Sequence, residues 1–539
     1  MKTLAAVKCE KVIRTLSRRK ESDSSANFVT LAAYVHFISL MPMLAISLGL
    51  FPGSPAFAFP EKSAQAGKNS VAAASLNITA APYFAKGDGL TDNTAAINQA
   101  LGDAAASTPR RNVYVPLGTF IHSGVLHIRG VTLSGAGGGT VIQATNPSEG
   151  ACELSGKDSG IQNCTLVSPA AKDRMNSSHS AAICVNGATK FTINKVNVGA
   201  EGMMGAASAG ILCADRASSQ GVITGNRILN TLADGIHLTA GAKDIQVSGN
   251  TLTNTGDDMI AVVSYRKDGT LVSGVRITKN VCVRQTNGRG ISVVGGNDVI
   301  IDHNIIQSSD AAGIYIASED SYDTFAPSNV QVIGNIIRNA NQRHTVTHGG
   351  IYVFGCAASE NGAAVPYFAR NITISGNTLT NTYYMGIRIG GYAVDVRITG
   401  NHVIGTTAEG IAVSDTGDRS AGAGAQNVLV SGNTIDATKS GAIKVFPSMW
   451  GALTITDNRL SNADTSNNPG VDVIFIDAQA IAIRPLKLTG NRYVDAGGHP
   501  VRSYINCQIS AADAGTSALA IRESNTTTVA PPKPVLLVP

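Results

Sequence analysis

An asparagine that recurs on a regular spacing constrains this chain more than any other feature. It stands at 226, 250, 280, 304, 335, 377, 401, 433, 458 and 491, in steps of 24, 30, 24, 31, 42, 24, 32, 25 and 33 residues. A base period near 24 with insertions is the signature of a solenoid whose coils carry loops of variable length. Each Asn follows a short alternating segment, such as Val396-Arg397-Ile398-Thr399, the period-two pattern of a strand with one buried face. The Gly-Asn or Asp-Asn pair suits a bend in the left-handed backbone region. Stacking the coils brings the amides to about 4.8 Å, one strand spacing, where they can hydrogen-bond as a ladder. No 3.6-residue apolar stripe persists, which excludes a helical solenoid. The expectation is an all-β, single-stranded parallel β-helix, with Ile245, Val275, Val299, Val330, Ile372, Val396 and Val428 stacked in its core.

A solenoid grows by adding coils, so 539 residues can form one elongated domain. The formal charge of +5 is misleading, because residues 1–58 hold seven Lys or Arg against three Asp or Glu, leaving about +1 for the rest. Nothing global then argues for nucleic acid or an anionic membrane surface. The N-terminus has a basic region, an apolar run from Phe28 to Phe51 and then Ala56-Phe57-Ala58, the layout of a secretory signal. Residues 1–58 are therefore read as an export segment, leaving a mature protein without a membrane span, secreted or held in the periplasm or at the cell surface. Residues 59–80 read as a linker, 81–510 as the β-helix and 511–539 as an extended tail. Thr91, Asp92 and Asn93 can cap a short helix running to about Ala106 that covers the first coil. Seven Cys follow the export segment; a Cys184–Cys213 bridge between neighbouring coils is conceivable, and Cys282 falls in an inward column.

Superimposing the Asn residues aligns the second apolar segment of each coil. Asp258 and Arg289 then share one column directly before that segment, Asp234 falls in it one coil earlier, and Asp257 sits beside it. Three stacked carboxylates repel one another and are not expected without a role. At least one should keep its proton near neutral pH, the condition for general-acid work beside an ionised partner that activates water. His237, Ser292, Tyr315, Tyr352 and Arg388 lie along the same face as a row able to bind successive sugars, and the insertion with Arg343 and His344 can wall the groove.

The opening Lys86-Gly87-Asp88-Gly89-Leu90-Thr91-Asp92-Asn93-Thr94-Ala95-Ala96-Ile97 resembles the start of the pectate lyase superfamily domain, a right-handed parallel β-helix. Leu232-Ala233-Asp234, Gly256-Asp257-Asp258 and Gly288-Arg289-Gly290-Ile291-Ser292 are similar to the N-T-D, G-D-D and G-H-G-I-S stretches of polygalacturonase-like glycoside hydrolases. The resemblance implies an inverting hydrolase of a polysaccharide, without cofactor and monomeric, in which Asp257 is the acid and Asp234 and Asp258 activate water. Two departures stand out: Arg289 replaces the His, and Tyr315-Ile316-Ala317 replaces the uronate-binding R-I-K. A polysaccharide lyase with Ca²⁺ on Asp234, Asp257 and Asp258 and Arg289 as base is the alternative, and a non-catalytic carbohydrate-binding or structural β-helix is the third.

Overall fold

In the computed structural model, residues 75–360, 363–414, 424–477, 482–508, 525–527 and 535–537 are described. Residues 1–58, most of 59–80 and most of 511–539, and with them the expected export segment, lie outside the described residues. The described residues belong to one compact unit. Three parallel sheets of 15, 16 and 15 strands run its length. One coil passes from Gln246–Ser248 in sheet 1 through Thr251–Thr255 in sheet 2 and Ile260–Val263 in sheet 3, then returns to sheet 1 at Ser273–Thr278. Each return to the same sheet is a crossover between parallel strands, and the winding is right-handed, as such crossovers require. The expected core column is in register: Val275 pairs with Val299, Val299 with Val330, Val330 with Ile372, Ile372 with Val396 and Val396 with Val428. All are buried in a core that runs from Ile78 to Cys507.

The ladder occupies the bend between sheets 1 and 2. The residue before each Asn is left-handed, including the non-glycines Lys279, His303 and Asp457, with φ of 55°, 54° and 57°. This turns the Asn side chain inward. Asn280 Oδ1 accepts from the backbone N–H and the Nδ2 of Asn250, both at 2.9 Å. Its own Nδ2 donates to Val247 O at 3.0 Å and to Asn304 Oδ1 at 3.0 Å. A buried polar group stripped of its partner costs about 1–3 kcal/mol. Asn280→Ala, which strips several at once, should lower the urea unfolding midpoint by an amount equivalent to about 2–3 kcal/mol. An unchanged midpoint would mean that the ladder contributes nothing net.

Three expectations need correction. The tail is not simply extended: Asn525 takes the next rung, 2.9 Å from Asn491 Nδ2, and Thr526–Thr527 and Val535–Leu537 add to sheets 2 and 3. The first strand likewise begins at Leu76, inside the expected linker. A Cys184–Cys213 bridge is opposed by register, because Cys184 pairs with Leu212 and Cys213 with Val185. A one-residue offset puts the two thiols on opposite faces of the sheet. Cys282 does sit inward, between Leu252 and Ile306, where burial pushes its thiol up to about 12. The helix spans Thr94–Ala106 and buries Ile97, Ala100, Leu101 and Ala104; its first N–H is met by Asp92 Oδ1 at 2.9 Å, while Asn93 turns away to bond Lys86.

Outside sheet 3, a second apolar cluster of Ala261, Val263, Val294, Ala312, Tyr315, Ala317 and Tyr352 lies beneath loops. Those loops frame the candidate site. Among the described residues no helix is long and apolar enough to cross a membrane.

Candidate active site

The turns between sheets 2 and 3 stack as tightly as the strands do. Ile236, Ile260 and Ile291 are in register, so Asp234, Asp258 and Arg289, each two residues earlier, form the column the sequence indicates. A buried hydroxyl shapes each aspartate turn: Thr231 Oγ1 donates to Ala233 O and Thr255 Oγ1 to Asp257 O, both at 2.8 Å. A Cβ on Gly288 would lie 2.7 Å from Asp257 C and Asp258 N. Only glycine lets the Arg289 turn settle on the Asp-Asp turn.

One oxygen from each of Asp234, Asp257 and Asp258 falls within 4.8 Å of the others. Asp234 and Asp258 are buried, with side chains 6% exposed, whereas Asp257 at 26% faces the cleft. Asp258 Oδ1 accepts the Arg289 backbone N–H at 2.6 Å, and its Oδ2 lies 3.6 Å from the Arg289 guanidinium. Asp234 Oδ2 holds His237 Nδ1 at 2.8 Å. Arg174 reaches in from the loop 168–182, 2.5 Å from Asp257 and 3.9 Å from Asp234. Burial above all pushes Asp258 up to about 7, against the pull of Arg289. Burial and the Asp234 charge also raise Asp257, against Arg174. Groups this close share their protons, so the pair titrates as a unit.

The cleft above them has a volume of about 570 Å³, within the range of about 300–1,000 Å³ usual for ligand sites. Arg174 and Asn176 line it from one loop; Arg343, Val346 and His348 line it from the insertion that was expected to wall the groove. Tyr265, Glu319 and Tyr322 close the opposite side. Sequence reasoning missed Arg174, Glu319, Tyr265 and Tyr322.

The expected sugar-binding row divides. His237 lines the cleft, and its Nε2 is buried without a hydrogen-bond partner. Ser292, Tyr315 and Tyr352 point outward from sheet 3 as the alternation requires, yet are 0%, 4% and 6% exposed. They carry packing loops rather than a polymer. Arg289 stacks 4.4 Å above Tyr315, and Tyr315 stacks on His348 at 5.3 Å. Arg388 lies 4.6 Å above Tyr352 and donates to Thr347 Oγ1 at 2.9 Å, propping the insertion. Strand alternation gives the direction of a side chain and is blind to the loops that fold over it.

Arg289 also donates to Glu319 at 2.5 Å. Burial opposes its charge, but Asp258 and Glu319 outweigh burial and raise its affinity for the proton. The carboxylate oxygens span a distance a cation can bridge, but guanidinium groups already hold all three aspartates. Ca²⁺ takes six to eight oxygens, so an ion held by these three carboxylates would compete with Arg174 for Asp257.

A family model of the right-handed β-helix region matches residues 119–274 and 267–479. No curated protein matches significantly. Among solved structures, the catalytic unit of a thermostable GH87 α-1,3-glucanase from Streptomyces thermodiastaticus strain HF3-3 is 21% identical, with 75% of this chain and 71% of that one covered and a TM-score of 0.55. The catalytic domain of a GH87 α-1,3-glucanase, as an aspartate-to-alanine variant in complex with tetrasaccharides, is 18% identical, with 73% and 67% covered and a TM-score of 0.51. At these identities the likeness is one of fold.

Proposed function

This chain belongs to the right-handed β-helix family, and we propose that it uses that scaffold to hydrolyse glycosidic bonds of a neutral polysaccharide outside the cytoplasm. The observation that carries the reading is the three-carboxylate cluster at the floor of the cleft, with Asp257 and Asp258 both raised. Asp257, the more exposed, gives its proton to the leaving oxygen as the glycosidic C–O bond breaks. Asp234 and Asp258 take the proton of the water that attacks the anomeric carbon from the opposite face. Arg174 stabilises the carboxylate left on Asp257.

The charges of the cleft support a neutral substrate. Each arginine lining the cleft keeps an acid whatever the protonation of Asp257 and Asp258: Arg174 lies 3.9 Å from Asp234, Arg289 has Glu319 at 2.5 Å, and Arg343 Nε has Asp310 at 2.7 Å. His348 is pushed down to about 3 by burial and the arginines, so it is uncharged at neutral pH. A uronate carboxylate would find no free cation among these residues. The α-1,3-glucanase neighbours support a neutral glucan as the first polymer to try.

The test is incubation with neutral and acidic polysaccharides, scoring both new reducing ends and ultraviolet-absorbing unsaturated products. New reducing ends without absorbance, on a neutral glucan, are expected; absorbance would establish elimination, and neither signal on any polymer would leave the binding-protein reading. Chelator should change the rate less than twofold, because the lyase alternative needs both Ca²⁺ and an Arg289 that gives up its proton. Inversion comes from the polygalacturonase resemblance. The oxygens here approach more closely than the roughly 6.5–9.5 Å usual between carboxyls of inverting enzymes, so the anomer first released, read by proton NMR, decides it.

A further inference from the structure

Farther along sheet 3 the same turn column fills with carboxylates again. Ile411, Ile443, Ile474 and Ile505 continue the register; Glu409 and Asp472 stand two residues before Ile411 and Ile474, as Asp234 stands before Ile236. Both are 6% exposed. Gly441 takes the position between them, where a Cβ would lie 2.4 Å from Asp472 O, and lines with them a pocket of about 190 Å³. This is below the about 300–1,000 Å³ of sites that enclose a whole ligand, so the pocket suits one unit of a longer chain.

The acids here act as anchors. Asp472 Oδ1 accepts from Arg502 Nε at 2.9 Å and Ser503 Oγ at 2.6 Å, while Oδ2 accepts from Asn506 Nδ2 at 2.8 Å and from a second Arg502 nitrogen. Glu409 Oε1 accepts from Ser440 Oγ at 3.2 Å and lies 3.4 Å from Lys444 Nζ. Lys444 is further fixed 4.5 Å above the Phe446 ring and 6.0 Å from that of Phe475. The pocket therefore offers two immobilised donors, each neutralised by its own carboxylate, beside the partly exposed ring of Phe475. Donors without net charge next to a ring face match a sugar, whose hydroxyls accept and whose C–H face packs on the ring.

We propose that this pocket is a second carbohydrate subsite, holding the polymer five to seven strand spacings, about 24–34 Å, from the cleavage cluster. It rests on the reading of the cleft as acting on a neutral polysaccharide. The pocket lies along the face that carries the cleft, so it lengthens the grip on polymer and does nothing for short oligosaccharides.

The test uses the full chain as Asp257→Asn, which binds without cleaving, with and without Phe475→Ala or Lys444→Ala, and insoluble α-1,3-glucan as probe. Each added substitution should weaken retention on the particles about five- to tenfold. In the otherwise unaltered chain, Phe475→Ala should lower the rate on particles by a similar factor and leave the rate on a soluble α-1,3-linked tetrasaccharide within twofold. Retention unchanged in both folded variants, no retention of the parent protein, equal losses on particle and tetrasaccharide, or stronger retention on polygalacturonate than on glucan would each overturn the proposal. Retention that depends on Phe475 in a chain that releases no sugar would leave the subsite standing and remove the hydrolase reading.

Discussion

Asp257→Asn is expected to lower turnover on the polymer by about 10²–10⁴-fold, the range that a positioned general acid contributes, while the β-helix stays folded. The amide keeps the oxygen that accepts the Asp258 N–H at 3.1 Å and has no acidic proton to give. Arg174 keeps Asp234 at 3.9 Å, so the loop it anchors need not open. A second substrate separates lost acid catalysis from lost geometry. An aryl glycoside with a good leaving group does not need the proton, so its cleavage should fall far less than cleavage of the polymer. Equal losses on both substrates, with the fold intact by circular dichroism, would take the acid role from Asp257. Full polymer turnover would remove the catalytic reading of the cluster.

What could be read from the sequence is what the period carries. Within one coil, strand alternation and the Asn bend set which way each residue points. Between coils, the constant register from Ile236 to Ile505 turns a sequence alignment of the repeats into a spatial one. Asp234, Asp258 and Arg289 could thus be stacked without a structure. Residues in the loops escape the period. Arg174 lies 83 residues before the Asp257 it binds, in an insertion whose length says nothing of where it folds. Glu319, Tyr265 and Tyr322 come from insertions on the other side of sheet 3. The same blindness made Tyr315 and Tyr352 look exposed, since these loops cover them. Asn525 was missed because the sequence just before it, Ile521-Arg522-Glu523-Ser524, lacks the alternating apolar pattern that precedes the other rungs.

Asp258→Asn should abolish activity and stabilise the fold, and the pH at which the stabilisation appears identifies its cause. Asp258 is raised from an ordinary 3.8 to about 7 in the folded protein, chiefly by burial. The folded state then holds a proton that the unfolded state has lost between about pH 4 and 7. Stability therefore falls as pH rises through that window and levels off above it. The amide keeps the acceptor for the Arg289 N–H, needs no proton, and leaves Arg289 its bond to Glu319. The gain over the parent protein should be near zero at pH 4 and on the order of 2–4 kcal/mol at pH 8, the lower figure if Asp257 takes up part of the proton. Comparing variant with parent is essential. His348, pushed down to about 3, and His122, also lowered, give the opposite slope below their ordinary value of 6.5, while the raised His237 gives a slope of the same sign above it. Asp88 and Asp92, held at about 2 by hydrogen bonds, act only below pH 4. These groups are common to both proteins and largely cancel in the difference. Unfolding midpoints in urea at pH 4, 6 and 8 give the answer: a gain that does not grow with pH, or a loss at every pH, would mean that Asp258 is not a carboxyl held against its charge. A gain that does grow, with turnover lost, is the signature of a residue kept at a cost to stability because the reaction needs it.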